Sequence, residues 1–98
     1  MCGIAGSLIS RNCAAQVAPD RLSRVRDHMR PRGPDGAGTW ISADHRVGLA
    51  HRRLAIIDLS ERAAQPMHAG SLTISFNGEI YNYRALRLEL EALGEVFQ

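Results

Sequence analysis

Met1-Cys2-Gly3-Ile4-Ala5-Gly6-Ser7-Leu8-Ile9 opens the chain. Residues 2–9 are short and apolar, which predicts a strand buried on both faces, with Gly3 and Gly6 permitting close backbone approach. Cys2 directly follows the initiator methionine. Once Met1 is removed, this residue carries both a thiol and a free α-amine, whose pKa is about 7.7–8.0 in model peptides. A thiol is the strongest side-chain nucleophile near neutral pH, and an amine titrating there can carry its proton. One residue would then supply nucleophile and base. The plainer reading is a small apolar residue opening a strand, as buried free cysteines commonly are.

Ninety-eight residues give room for one domain with a modest core. The composition is that of an ordinary globular protein. No apolar stretch is long enough to span a bilayer, and the N-terminus lacks the basic start and cleavage site of a secretory signal. The expected setting is the cytoplasm, with no membrane partner. Cys2 and Cys13 have no metal-like spacing, nor do His28, His45, His51 and His68, so no metal is expected. All twelve basic residues are arginine. Lysine-based Schiff-base chemistry is thereby excluded, while arginine suits the two-pronged grip on a carboxylate.

A helix is expected from about Asp20 to Arg30, with Leu22, Val25 and Met29 on one face. Its arginines read as a solvated face. Without aromatic interleaving they do not indicate nucleic acid as a partner. Pro31 stops the helix, and residues 32–38 form a rigid, glycine-punctuated loop. Thr39–Ser42 and Val47–Ala50 read as a hairpin turning at residues 43–46, with His51-Arg52-Arg53 a charged strand end. Residues 54–59 are an apolar run closed by Asp58, and 60–70 are loop-like. Ser71–Phe76 alternates as a half-buried strand. Asn77-Gly78 alone signals a type I′ hairpin turn. Asn82 is a plausible N-cap for a helix with Tyr83, Leu86, Leu90 and Leu93 on one face. Arg87 and Glu91 are spaced to pair on that helix, Gly94 is placed to end it, and residues 95–98 begin a further strand. The glycines at 33–38 lack dinucleotide and Walker spacing, so no nucleotide site is expected.

An N-terminal thiol, an Arg-Gly-Pro-Asp loop, Arg52-Arg53 and Asn77-Gly78-Glu79 together supply what amide hydrolysis requires. A nucleophile attacks the carbonyl, and a side-chain amide beside a backbone N–H stabilises the oxyanion. An arginine and a glutamate suit the carboxylate and ammonium of a free amino acid.

Five segments carry a specific resemblance: Met1-Cys2-Gly3-Ile4-Ala5-Gly6; Arg32-Gly33-Pro34-Asp35-Gly36; His51-Arg52-Arg53-Leu54-Ala55-Ile56-Ile57-Asp58; Gln65-Pro66-Met67; and Asn77-Gly78-Glu79-Ile80-Tyr81-Asn82-Tyr83. In order and spacing they resemble the class II glutamine amidotransferase domain of glutamine-hydrolysing asparagine synthetases. The resemblance covers essentially the whole chain. It implies an α+β fold of the N-terminal nucleophile hydrolase type, an αββα sandwich that is incomplete here. Residues 1–98 would form the first part of that domain, with the rest of it and the synthetase domain absent. It also implies that Cys2 is the nucleophile, that Asn77 and Gly78 form the oxyanion hole, and that Arg53 and Glu79 bind the α-carboxylate and α-amino ends of L-glutamine. No cofactor is expected in this chain. ATP and Mg are expected in the synthetase domain, where ammonia would amidate aspartate, and the parent enzyme is expected to be a homodimer.

Two departures accompany the resemblance. Pro31 stands where the family usually has histidine. The family's domain is also much longer, and its substrate-binding aspartate would fall shortly after Gln98, so this piece alone is expected to be inactive. The rival readings are an inactive remnant, an N-terminal nucleophile hydrolase acting on another amide, and an amidotransferase serving a different carboxylate acceptor.

Overall fold

The computed structural model describes residues 1–56 and 60–97. Among them are five strands and two α-helices: β1 (Gly3–Leu8), α1 (Pro19–His28), β2 (Gly36–Ile41), β3 (Val47–Arg53), β4 (Met67–Ala69), β5 (Leu72–Ile74) and α2 (Tyr83–Ala92), with a 3-10 helix at Glu61–Ala63. The fold class is α+β, consistent with part of a layered N-terminal nucleophile hydrolase domain. β3 is the centre of an antiparallel sheet ordered β1-β3-β2, and β4 and β5 pair separately. In register, Gly3 lies opposite Arg52, and Gly36 opposite Arg53.

Strand alternation sorts the sheet into two faces. One face carries Ala5, Ile41 and Ala50, which pack with Val17, Leu22 and Ile9 into the core beneath α1. Gly3 on this face lies against Met29. Ile4 and Leu8 point the other way and are exposed, Leu8 to 79%. The strand expected to be buried on both faces is therefore covered on one, since α1 reaches only one side.

α1 begins one residue earlier than expected because Pro19 fits the first helical turn, where its missing N–H costs nothing. It ends at His28 rather than Arg30. Pro31 disfavours helical backbone at the residue before it, and residues 29–33 continue as turns bonded Arg32 N–H to Met29 O and Gly33 N–H to Arg30 O. The hairpin turn at residues 43–46 is as expected, with Ser42 N–H donating to Val47 O at 2.9 Å. Both of its strands are longer than expected. Gly36–Gly38, read as loop, joins β2, while His51-Arg52-Arg53, read as a charged end, completes β3. Each extension supplies the other's hydrogen-bonding partner, and Gly36 leaves room for the Arg53 stem across from it.

Residues 60–70, read as loop, contain the 3-10 helix and β4. β5 is shorter than the expected Ser71–Phe76 strand and keeps its alternation with reversed polarity: Leu72 and Ile74 are exposed, while Thr73, and Ser75 just past the strand, are half-buried. Histidines account for the reversal, because His68 Nδ1 lies 3.1 Å from Thr73 Oγ1 and His51 Nδ1 3.0 Å from Ser75 Oγ. Asn77-Gly78 makes no type I′ turn: that turn needs positive φ at both central residues, and Gly70 and Gly94 are the positive-φ glycines.

α2 follows Asn82 as expected, although the Asn82 side chain makes no capping bond. Arg87 Nε donates to Glu91 Oε1 at 2.8 Å. Gly94 (φ +96°) closes the helix in a Schellman arrangement, with Glu95 N–H donating to Leu90 O and Gly94 N–H to Glu91 O. Residues 95–97 adopt no regular structure. The last part of the expected 54–59 run, Asp58 included, and Gln98 lie outside the described residues. No helix among the described residues is long and apolar enough to cross a membrane.

Candidate functional site

Cys2 precedes β1 and shares strand parity with Ile4, so its side chain leaves the sheet on the face away from α1. Arg53, at the end of β3, leaves on the same face. Leu54 N–H donates to Cys2 Sγ at 3.3 Å, and the thiol lies 3.8 Å from Leu54 O. The sulfur is thus held by the backbone that follows the central strand. A thiolate at this position would accept the Leu54 N–H bond more strongly, because hydrogen bonds to ions are roughly twice as strong as neutral ones.

The Arg-Gly-Pro-Asp loop braces the same backbone. Arg52 is buried and donates from Nε to Gly33 O at 2.8 Å. Gly33 lies directly against the Arg52 backbone, where a Cβ would overlap main-chain atoms. Asp35 N–H donates to Arg53 O, and Asp35 Oδ2 accepts from Ala55 N–H, both at 2.9 Å. This loop therefore fixes residues 52–55 beside the thiol. With Pro31 at its start, the loop docks on β3 through Gly33 and Asp35.

A cavity of about 380 Å³ opens in front of Cys2. Its lining includes Cys2, Arg53, Asn77, Gly78 and Glu79, together with Met1, Gln65, Phe76 and Tyr81. All five residues singled out from the sequence thus meet at one cavity, although they come from three distant parts of the chain. Arg53 is anchored through Nη1, which donates to Ser60 O at 2.8 Å. An adjoining cavity of about 450 Å³ shares Arg53, Ala55 and Gln65 with the first and adds Asp35, His51 and Glu61. No group of three or more His, Cys, Asp or Glu side chains suited to a metal ion occurs among the described residues.

His51 was not singled out as a site residue. It is 1% exposed, and its Nε2 is buried without a hydrogen-bond partner among the described residues. Burial pushes its pKa down, and the Arg53 guanidinium adds to the effect. The missed signal was strand parity: once β3 runs on through Arg53, His51 must point to the face opposite Ala50.

The imidazole's depressed pKa has a consequence for stability. The unfolded chain takes up a proton at the ordinary histidine value of 6.5, and the folded protein resists doing so until lower pH. Stability associated with neutral His51 is therefore complete above that value and is lost as pH falls below it. The Asp27 and Asp44 carboxyls are held low by hydrogen bonds from Arg26 and Ser42, and they start from 3.8, so they act further down. The expected result is a melting temperature that falls between about pH 7 and pH 5, with a flatter profile in His51→Gln. An equally steep profile in that variant would assign the acid sensitivity to another group.

The chain belongs to the glutamine amidotransferase domain family, whose model matches residues 1–98. Among curated relatives it is 37% identical to asparagine synthetase [glutamine-hydrolyzing] 3 of Bacillus subtilis, over 100% of this chain and 16% of the relative. It is 41% identical to asparagine synthetase B [glutamine-hydrolyzing] of Escherichia coli, over 91% of this chain and 16% of the relative. It is also 39% identical to amidase chry2 of Gibberella zeae, over 92% of this chain and 15% of the relative. The chain thus spans about a sixth of the length of these relatives. No solved structure gave a significant match.

Proposed function

We propose that this chain supplies the catalytic part of a glutaminase, in which the Cys2 thiol, freed of Met1, attacks the side-chain amide of L-glutamine. The observation that carries this reading is the convergence of Cys2, Arg53, Asn77, Gly78 and Glu79 on one cavity, in a member of the glutamine amidotransferase family. Arg53 grips the α-carboxylate and Glu79 the α-ammonium. The Asn77 amide and Gly78 N–H receive the oxyanion of the tetrahedral intermediate. The α-amine of Cys2 takes the thiol proton and delivers it to the leaving nitrogen, so ammonia departs and a glutamyl thioester remains. Water, deprotonated by the same amine, releases glutamate.

The ammonia would serve a synthetase domain of the parent protein, which would hold ATP and Mg and supply the activation of aspartate for amidation to asparagine. The relatives named asparagine synthetases support that acceptor. Hydrolysis of an amide other than that of glutamine is the second reading, favoured by the similarity to a relative named an amidase.

The mechanism requires a free α-amine on Cys2. Met1 is 75% exposed, which leaves it open to removal. Intact-mass measurement on active protein from cells should show a chain shortened by one methionine and releasing glutamate from glutamine. Full activity with Met1 retained would overturn the role of the α-amine.

A further inference from the structure

The oxyanion-hole segment proposed above has no regular secondary structure to hold it. Asn77 and Gly78 follow β5, which among the described residues pairs with β4 alone, and neither strand joins the β1-β3-β2 sheet next to Cys2 there. Residues 75–80 lie outside any helix or strand. Yet an oxyanion donor must be placed to within a fraction of an ångström of the reacting carbonyl, since a displacement of about 1 Å can cost about a hundredfold in rate. Something other than strand pairing has to set the distance between Asn77 and the thiol.

Two side-chain hydrogen bonds cross that gap. His51, fully buried on the central strand β3, lies with Nδ1 3.0 Å from Ser75 Oγ. Gln65 Oε1 accepts the Phe76 N–H. Gln65 is itself seated on the main sheet: Gly38 of β2 approaches its carbonyl oxygen so closely that a Cβ would overlap it. The Phe76 ring in turn lies over Gly78. Residues 75 and 76 are therefore tied to β3 and β2 immediately before the chain reaches Asn77.

We infer that His51 and Gln65 are positioning residues, whose bonds to Ser75 and Phe76 hold Asn77 and Gly78 at the distance from Cys2 that oxyanion stabilisation requires. The inference rests on the glutaminase reading and deepens it. Neither residue touches the reacting atoms in this role. Their effect passes through the main chain of residues 75–77, so it falls on the transition state rather than on substrate binding.

The test uses the full-length protein and Ser75, which lies outside the catalytic and binding residues. Ser75→Ala removes the partner of His51 and should lower kcat for glutamine hydrolysis about tenfold, with KM within about twofold. Ser75→Thr keeps the hydroxyl and should restore kcat. Alkylation of Cys2 by iodoacetamide, followed by peptide mass so that Cys13 is counted separately, needs no oxyanion hole. Its rate should be unchanged in Ser75→Ala. A wild-type kcat in Ser75→Ala would overturn the inference. So would a loss that Ser75→Thr fails to restore, or one accompanied by an equal fall in Cys2 alkylation. Gln65→Leu, which removes the second tie, gives an independent arm with the same expected kcat loss and unchanged alkylation; a wild-type kcat there overturns the role of Gln65. Retained glutamine hydrolysis in Cys2→Ala would defeat the glutaminase reading itself, whereas an inactive Cys2→Ala beside a fully active Ser75→Ala defeats only the positioning role.

Discussion

Replacing Cys2 with alanine in the full-length protein is expected to abolish glutamine-dependent amidation while leaving ammonia-dependent amidation largely intact. In the proposed mechanism only the release of ammonia uses the thiol, so external ammonia would bypass the lesion. Alanine keeps the α-amine but removes the nucleophile it serves, and the loss should be at least about a thousandfold, since removing one member of a set that acts as a unit costs about as much as removing all of it. Cys2 Sγ also accepts the Leu54 N–H, so a purely structural role makes a different forecast. If that bond matters chiefly for folding, alanine should lower the melting temperature and both activities together. Cys2→Ser separates the two, because its hydroxyl can still accept from Leu54 but is a far weaker nucleophile. A stable serine variant without glutaminase activity assigns the thiol to chemistry. Equal loss of both amidation activities in Cys2→Ala would assign it to the fold.

The elements that local chemistry determines were the ones legible in the sequence. Pro31 limits α1, Gly94 closes α2, and Arg87 pairs with Glu91 at helical spacing; each depends on neighbours a few residues away. The misread elements depend on distant partners. Gly36–Gly38 has poor strand propensity and becomes strand because β3 lies beside it. His51 and Arg52 look like a solvated charged end but are buried, because Ser75 and the Gly33 carbonyl receive them. β5 turned its polar residues inward for the same reason, since His51 and His68 wait on that side. The site divides in the same way. The residue types needed for amide hydrolysis could be named from the sequence, and the resemblance allotted them roles. Their meeting at one cavity depends on antiparallel register and on a loop crossing the sheet, which no local pattern encodes.

Arg53 and Asn77 line the same cavity, yet the proposed mechanism gives their loss opposite kinetic signatures. The glutamine α-carboxylate carries the same charge before and during reaction. Arg53 therefore binds ground state and transition state alike, and Arg53→Ala should mainly raise KM for glutamine. Its bond to the Ser60 carbonyl makes some loss of stability expected as well, so a melting curve must accompany the kinetics. The oxygen that meets Asn77 becomes fully negative only in the transition state. Asn77→Ala should therefore leave KM nearly unchanged and lower kcat roughly a hundred- to a thousandfold, the range for removal of one oxyanion-hole donor. A turn-forming role for Asn77 would instead predict lost stability with little specific kinetic effect, and the absence of a type I′ turn at Asn77-Gly78 already weighs against that role. Steady-state glutaminase kinetics on both variants, with Asn77→Asp as a variant of nearly the same shape that cannot donate when ionised, would resolve the matter. A folded Asn77→Ala protein with normal kcat would remove Asn77 from the oxyanion hole, and an Arg53→Ala protein altered only in kcat would remove Arg53 from the carboxylate.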